Sequence, residues 1–123
     1  MLVLYRMAAD QLGESMELAR RAMDIFERSR DVSGMVLVAY DIGLVLFRQG
    51  RTAEAQRIAG AVDRLTREAG VGVIGDGFDY LGWSRPRPPS DPDQVPAWQE
   101  GASWSVDQLV EFARQCLSET QQA

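Results

Sequence analysis

Apolar residues recur at helical spacing in four consecutive stretches, and again near the end of the chain. The first stretch is Leu2 to Leu12, closed by Gly13. The second runs from Ser15 to Ser29, where Leu18, Ala22, Ile25 and Ser29 fall at i, i+4, i+7 and i+11 of one helical face. Ala19, Met23 and Phe26 widen that stripe. Arg30 to Gly34 reads as a turn, with Ser33 as the N-cap of the next helix. That third helix is predicted from Met35 to Arg48, stopped by Gly50. Thr52 caps a fourth, from Ala53 to Ala69, whose apolar stripe is Ala55, Ile58, Ala59, Val62, Leu65 and Ala69.

The period then lapses. The segment from Val71 to Pro96 is rich in Gly, Pro and Asp, and Arg85 to Pro92 is extended and partly polyproline in character. Phe78, Tyr80, Leu81 and Trp83 are expected to pin this connection to the helices, since large apolar side chains are costly to leave in water. Residues 71–104 are read as one connecting loop. A last helix spans 105–118. Ser105 and Gln108 have capping-box spacing, and Trp104 and Leu109 are placed for a hydrophobic staple. Val106, Leu109, Val110, Ala113, Cys116 and Leu117 form its buried stripe, and 119–123 is a polar tail.

The pattern is all-α, and it repeats. Tyr5 and Tyr40 share a Leu-Val-x-Tyr context, and Leu18, Ala22 and Ile25 match Ala55, Ala59 and Val62 at an offset of about 37 residues. Residues 1–70 are therefore expected to form two helical hairpins. The second of these resembles a tetratricopeptide repeat. Ala39, Ile42 and Gly43 stand at that family's first-helix packing positions, Gly50 at its tight turn and Ala55 at the small residue opposite. Ala59 replaces the usual aromatic and Arg67 the closing proline, so the repeat is divergent.

A wider resemblance rests on Arg57 to Gly70, Tyr80 to Trp83, Ala97 to Gly101 and Trp104 to Val110. Together these are similar to the C-terminal end of large actinobacterial-type multidomain regulators. Those proteins join an ATPase core to a tetratricopeptide-like array, often with a LuxR-type DNA-binding domain or a nucleotide cyclase. The resemblance implies a sensing or scaffolding array of which this chain is the last part, as a fragment or as a short stand-alone relative. The ATPase, cyclase and DNA-binding regions are absent from the sequence, so their activities do not carry over.

Charge narrows the partners. The chain has 123 residues and a net charge of −5, and its arginines are scattered among more numerous acids. Nucleic-acid binding needs clustered cations to neutralise phosphates, so no direct nucleic-acid partner is expected. One cysteine, Cys116, excludes an internal disulfide and suits a reducing, cytoplasmic setting. The N-terminus lacks the apolar region of a signal peptide, and Met35 to Phe47 is too short for a membrane span.

The candidate chemistry is sparse. Gly70, Gly72 and Gly75 spell a G-x-G-x-x-G string, but a helix precedes it and a Pro-rich segment comes after, the reverse of a dinucleotide site. Asp76, Asp79, Asp91 and Asp93 are explained as turn residues. Cys116 has no histidine to activate it anywhere in the chain and lies on an apolar stripe. Trp83, Trp98 and Trp104 read as core or lid residues before they read as a ligand pocket. No catalytic residue, cofactor or metal site is expected.

The third helix is different, being apolar nearly all round. Ala39, Gly43 and Leu46 are expected to face the fourth helix, and Val38, Ile42 and Val45 the second. That leaves Leu37, Tyr40, Leu44, Phe47 and Arg48 on the side that lines the groove of tetratricopeptide families. Such a face must be buried by something. The occupant is a partner helix or peptide, a second copy of the chain, or the C-terminal segment folded back. The sequence thus points to a protein-binding or dimerising module, with a structural cap of a larger array and a small-molecule sensor as alternatives.

Overall fold

A computed structural model of the chain describes residues 12–68 and 86–122, with side chains over 16–68 and 86–119. These residues are helical, with no strand among them. The helices are α1 (Leu12–Arg28), α2 (Val32–Arg48), α3 (Thr52–Glu68), α4 (Val95–Ala102, preceded by a 3-10 turn Pro92–Gln94) and α5 (Val106–Gln122). Residues 2–11, expected within a first helix, the glycine string at 70–75 and the aromatic residues of 78–83 lie outside the described residues.

The connections of the first three helices, at residues 29–31 and 49–51, recur 20 residues apart. The two are built alike. At the end of α2, Gly50 adopts φ +82°, its amide donates to the Phe47 carbonyl and the Arg51 amide to that of Leu46. At the end of α1, Arg30 adopts φ +54°, its amide donates to the Glu27 carbonyl and the Asp31 amide to that of Phe26. Both are Schellman closures, which satisfy carbonyls that the helix leaves open. Gly50 thus stops α2 as the sequence predicts. Gly13 does not stop a helix but lies within α1. Asp31, and not Ser33, caps α2, accepting from the Gly34 amide at 3.0 Å. Thr52 is already inside α3, behind Arg51.

Gly34, expected in a turn, is buried in the first turn of α2, where a Cβ would strike the ring of Phe26. Gly43 lies nine residues on, half a turn away around the helix, and faces Ile58 and Ala55 of α3. So α1 and α3 flank α2 on opposite sides. α5 packs chiefly on α2, with lesser contacts to α1 and α3. It takes the edge of α2 that carries Met35, Ile42 and Leu46, all fully buried. Helix α2 is therefore apolar all round because it is the central helix of the fold, and part of the face assigned to α1 belongs to α5.

The buried stripe of α1 is Met16, Ala19 and Met23, with Phe26 packed beside it. Ile25, expected to be buried, is 56% exposed, whereas its repeat counterpart Val62 is fully buried. The 37-residue alignment is thus out of register with the helices, whose connections recur 20 residues apart. The α5 stripe holds as predicted, with Leu109, Val110, Ala113, Cys116 and Leu117 buried and Val106 packed against them. Its capping box is formed: the Ser105 amide donates to Gln108 Oε1 at 2.8 Å, and the Gln108 amide to Ser105 Oγ at 3.2 Å. Trp104 packs its ring against Phe112, with centroids 4.8 Å apart.

Helix α4 occupies part of the expected loop. Pro96 sits in its first turn, where no backbone amide is needed. It packs closely on α3: Gly60 abuts the Trp98 carbonyl, and Gly101 abuts the Arg57 carbonyl. Ion pairs fasten these elements. Arg57 pairs with Glu100 of α4, and Arg114 of α5 bridges Asp24 and Glu27 of α1.

Candidate functional site

Three faces of α2 are occupied by helices, and among the described residues a fourth carries Leu37, Tyr40, Leu44 and Arg48 by helical spacing. Between this face and α3 lies a cleft of about 460 Å³. Its described lining has a simple organisation. Gly43, Ala55 and Ala59 are small and form the floor, where α2 and α3 come together. Tyr40, Leu44 and Phe47 form a wall, and Pro86 and Arg87 border the far side.

The five residues singled out by sequence divide. Tyr40, Leu44 and Phe47 line the cleft. Tyr40 is buried and desolvation raises its phenol above the ordinary value, Leu44 is half-buried, and Phe47 is 58% exposed. Leu37 is half-buried against the core and lies outside the lining. Arg48 is exposed, one residue beyond Phe47 and one helical turn beyond Leu44. Sequence reasoning misses Ala55 and Ala59 because their spacing marks them equally as α2-facing packing positions, and Gln56 because a polar residue beside that stripe carries no mark of its own. It misses Pro86 and Arg87 because nothing local says where an extended segment will lie.

Three polar features stand near this centre. Gln56 Oε1 is buried and has no hydrogen-bond partner among the described residues. Asp41, on the neighbouring edge of α2, is fully buried, and neither carboxylate oxygen has a described hydrogen-bond partner. Burial pushes its carboxyl up to about 7. Third, Arg48 and Arg87 make no hydrogen bond or ion pair with another described residue, whereas Arg51, Arg57, Arg64, Arg67 and Arg114 are each held by a carboxylate.

The other candidates resolve into local structure. Cys116 is buried and donates to Glu54 at 3.3 Å. Burial and that acceptor push its thiol up to about 12, away from nucleophilic use. Glu54 is held below its usual range by Arg51, which binds it through two nitrogens. Asp91 accepts from the Asp93 amide and caps the 3-10 turn. Trp98 is buried in the α3–α4 contact. No group of three or more His, Cys, Asp and Glu is placed to hold a metal ion among the described residues. None of the described helices is long and apolar enough to cross a membrane.

Comparison with known proteins adds no outside guide to this site. No protein-family model, curated protein or solved structure matches the chain.

Proposed function

We propose that the chain is a non-catalytic protein-binding module, and that the α2–α3 cleft receives apolar side chains from a segment of another protein. The observation that carries this is the cleft itself, with a floor of small residues and an exposed aromatic at its rim. Small floor residues leave room for an inserted side chain, and Phe47 offers a large, mostly exposed apolar contact at the rim. On this reading α2 and α3 act as a divergent tetratricopeptide-like hairpin within a regulatory assembly. The three-residue connection and the close contact of Gly43 with α3 support it.

The distribution of exposed apolar groups favours a partner's segment over a second copy. The large exposed apolar side chains among the described residues are Ile25, Val32 and Phe47. Val32 and Phe47 lie at opposite ends of α2, roughly 22 Å apart along its axis. Separate residues of this kind do not make the roughly 800 Å² patch per partner that a stable interface needs.

The cleft volume also falls within the roughly 300–1,000 Å³ of small-ligand pockets, which supports a small-molecule sensor as the second reading. Selecting a phage-displayed random peptide library on the full chain, against an Ala59→Phe variant that fills the cleft, separates the two. Peptides that bind the wild type and not the filled variant support the module. A library that yields none, alongside small apolar compounds that raise the melting temperature of the wild type alone, supports the sensor.

A further inference from the structure

The wall and floor of the cleft say that the partner is apolar, and its rim says more. Arg87 lies at its edge on a segment whose neighbours are Pro86, Pro88 and Pro89. Proline restricts the backbone on both sides of Arg87, so less backbone entropy remains to be lost there on binding. Arg48 comes directly after Phe47, in the last turn of α2. Both side chains are exposed and neither meets a described carboxylate. In a chain of net charge −5 whose other described arginines are mostly paired, Arg87 at the cleft edge and Arg48, one helical turn beyond the lining residue Leu44, are a local reversal of sign.

We infer that the partner is an acidic amphipathic peptide segment, whose apolar side chains enter the cleft while an adjacent Asp or Glu meets Arg48 and Arg87. The inference rests on the binding role proposed above. A guanidinium presents a planar fork of donors that matches a carboxylate. The negative charge of the chain as a whole does not cancel this attraction, because at physiological salt fields are screened beyond about 8 Å.

The test uses the library selection on the full chain, with Arg48→Glu/Arg87→Glu as a further counter-target. Both residues are exposed, so the double variant is expected to keep its helical circular dichroism. The expected result is enrichment of peptides in which Asp or Glu lies within a helical turn of paired bulky apolar residues. Their affinity for the double variant should fall about tenfold or more, and their affinity for the wild type should fall as salt rises. Enriched peptides that are apolar without acidic preference, or that bind the double variant equally well, overturn the inferred partner class and leave the cleft reading intact. No enrichment over Ala59→Phe overturns both.

Discussion

Gly101 of α4 rests against the backbone carbonyl of Arg57 in α3, and a Cβ at that position would fall onto the carbonyl oxygen. Gly60 makes the reciprocal approach to the Trp98 carbonyl. Because the obstacle is backbone in both cases, a rotamer change cannot relieve it. Gly60→Ala and Gly101→Ala are each expected to lower stability by about 1–3 kcal/mol in urea unfolding, and to alter the near-ultraviolet circular dichroism of buried Trp98. Gly50→Ala is the control. Nothing lies within 4 Å of its Cβ position, so only the left-handed backbone resists, at about 1 kcal/mol and with no change around Trp98.

Arg30 takes the left-handed conformation at the position that Gly50 occupies in the next connection. Its pairing with Asp107 is long, at 3.9 Å, and solvent-exposed, so little is lost with the side chain. Arg30→Gly is expected to stabilise the fold by about 0.5–1 kcal/mol. An unchanged or lower midpoint in urea would show that the Arg30 side chain matters more than its backbone.

The elements that the sequence shows most clearly are those decided by local chemistry. The Ser105–Gln108 capping box, the α5 stripe and the Gly50 stop each need only a few neighbouring residues. Gly34, Pro96 and Gly101 mislead in a similar way. Each reads as a helix breaker, yet each lies inside a helix, Pro96 where an amide is not needed and the glycines where another element comes close. For the two glycines that requirement is tertiary and leaves no local mark. The same holds for the cleft. Tyr40, Leu44 and Phe47 are visible in the sequence as leftover apolar positions, whereas Arg87 joins them only through the path of the chain after α3.

Asp41 is expected to make stability fall as pH rises. Its carboxyl ionises at about 7 in the folded chain, against about 3.9 when unfolded. Between those values the folded state holds the proton that the unfolded state has released, so the slope of stability against pH is negative there. The gap sets an upper bound of about 4 kcal/mol on the effect. Asp41→Asn should therefore match the wild type near pH 4 and exceed it by about 1–3 kcal/mol near pH 8. Parallel stability profiles for the two proteins across that window would refute the assignment.

Cys116 is expected to resist thiol reagents while the chain is folded, because burial keeps it protonated and out of contact. Labelling by a disulfide reagent should track the rate of unfolding and accelerate with urea. Labelling of the native chain at the rate of a free thiol would place Cys116 at an accessible surface.

If the α2–α3 cleft is where this chain meets its partner, a bound peptide must perturb the residues that line it. The direct measurement is amide chemical-shift mapping of the full chain titrated with a library-selected peptide. The largest shifts are expected to cluster at Tyr40, Leu44, Phe47, Gln56, Ala59 and Arg87, and Ala59→Phe is expected to abolish them. Shifts centred instead on α5 or on the α1–α2 connection, and untouched by Ala59→Phe, would contradict the assignment of the cleft as the binding site.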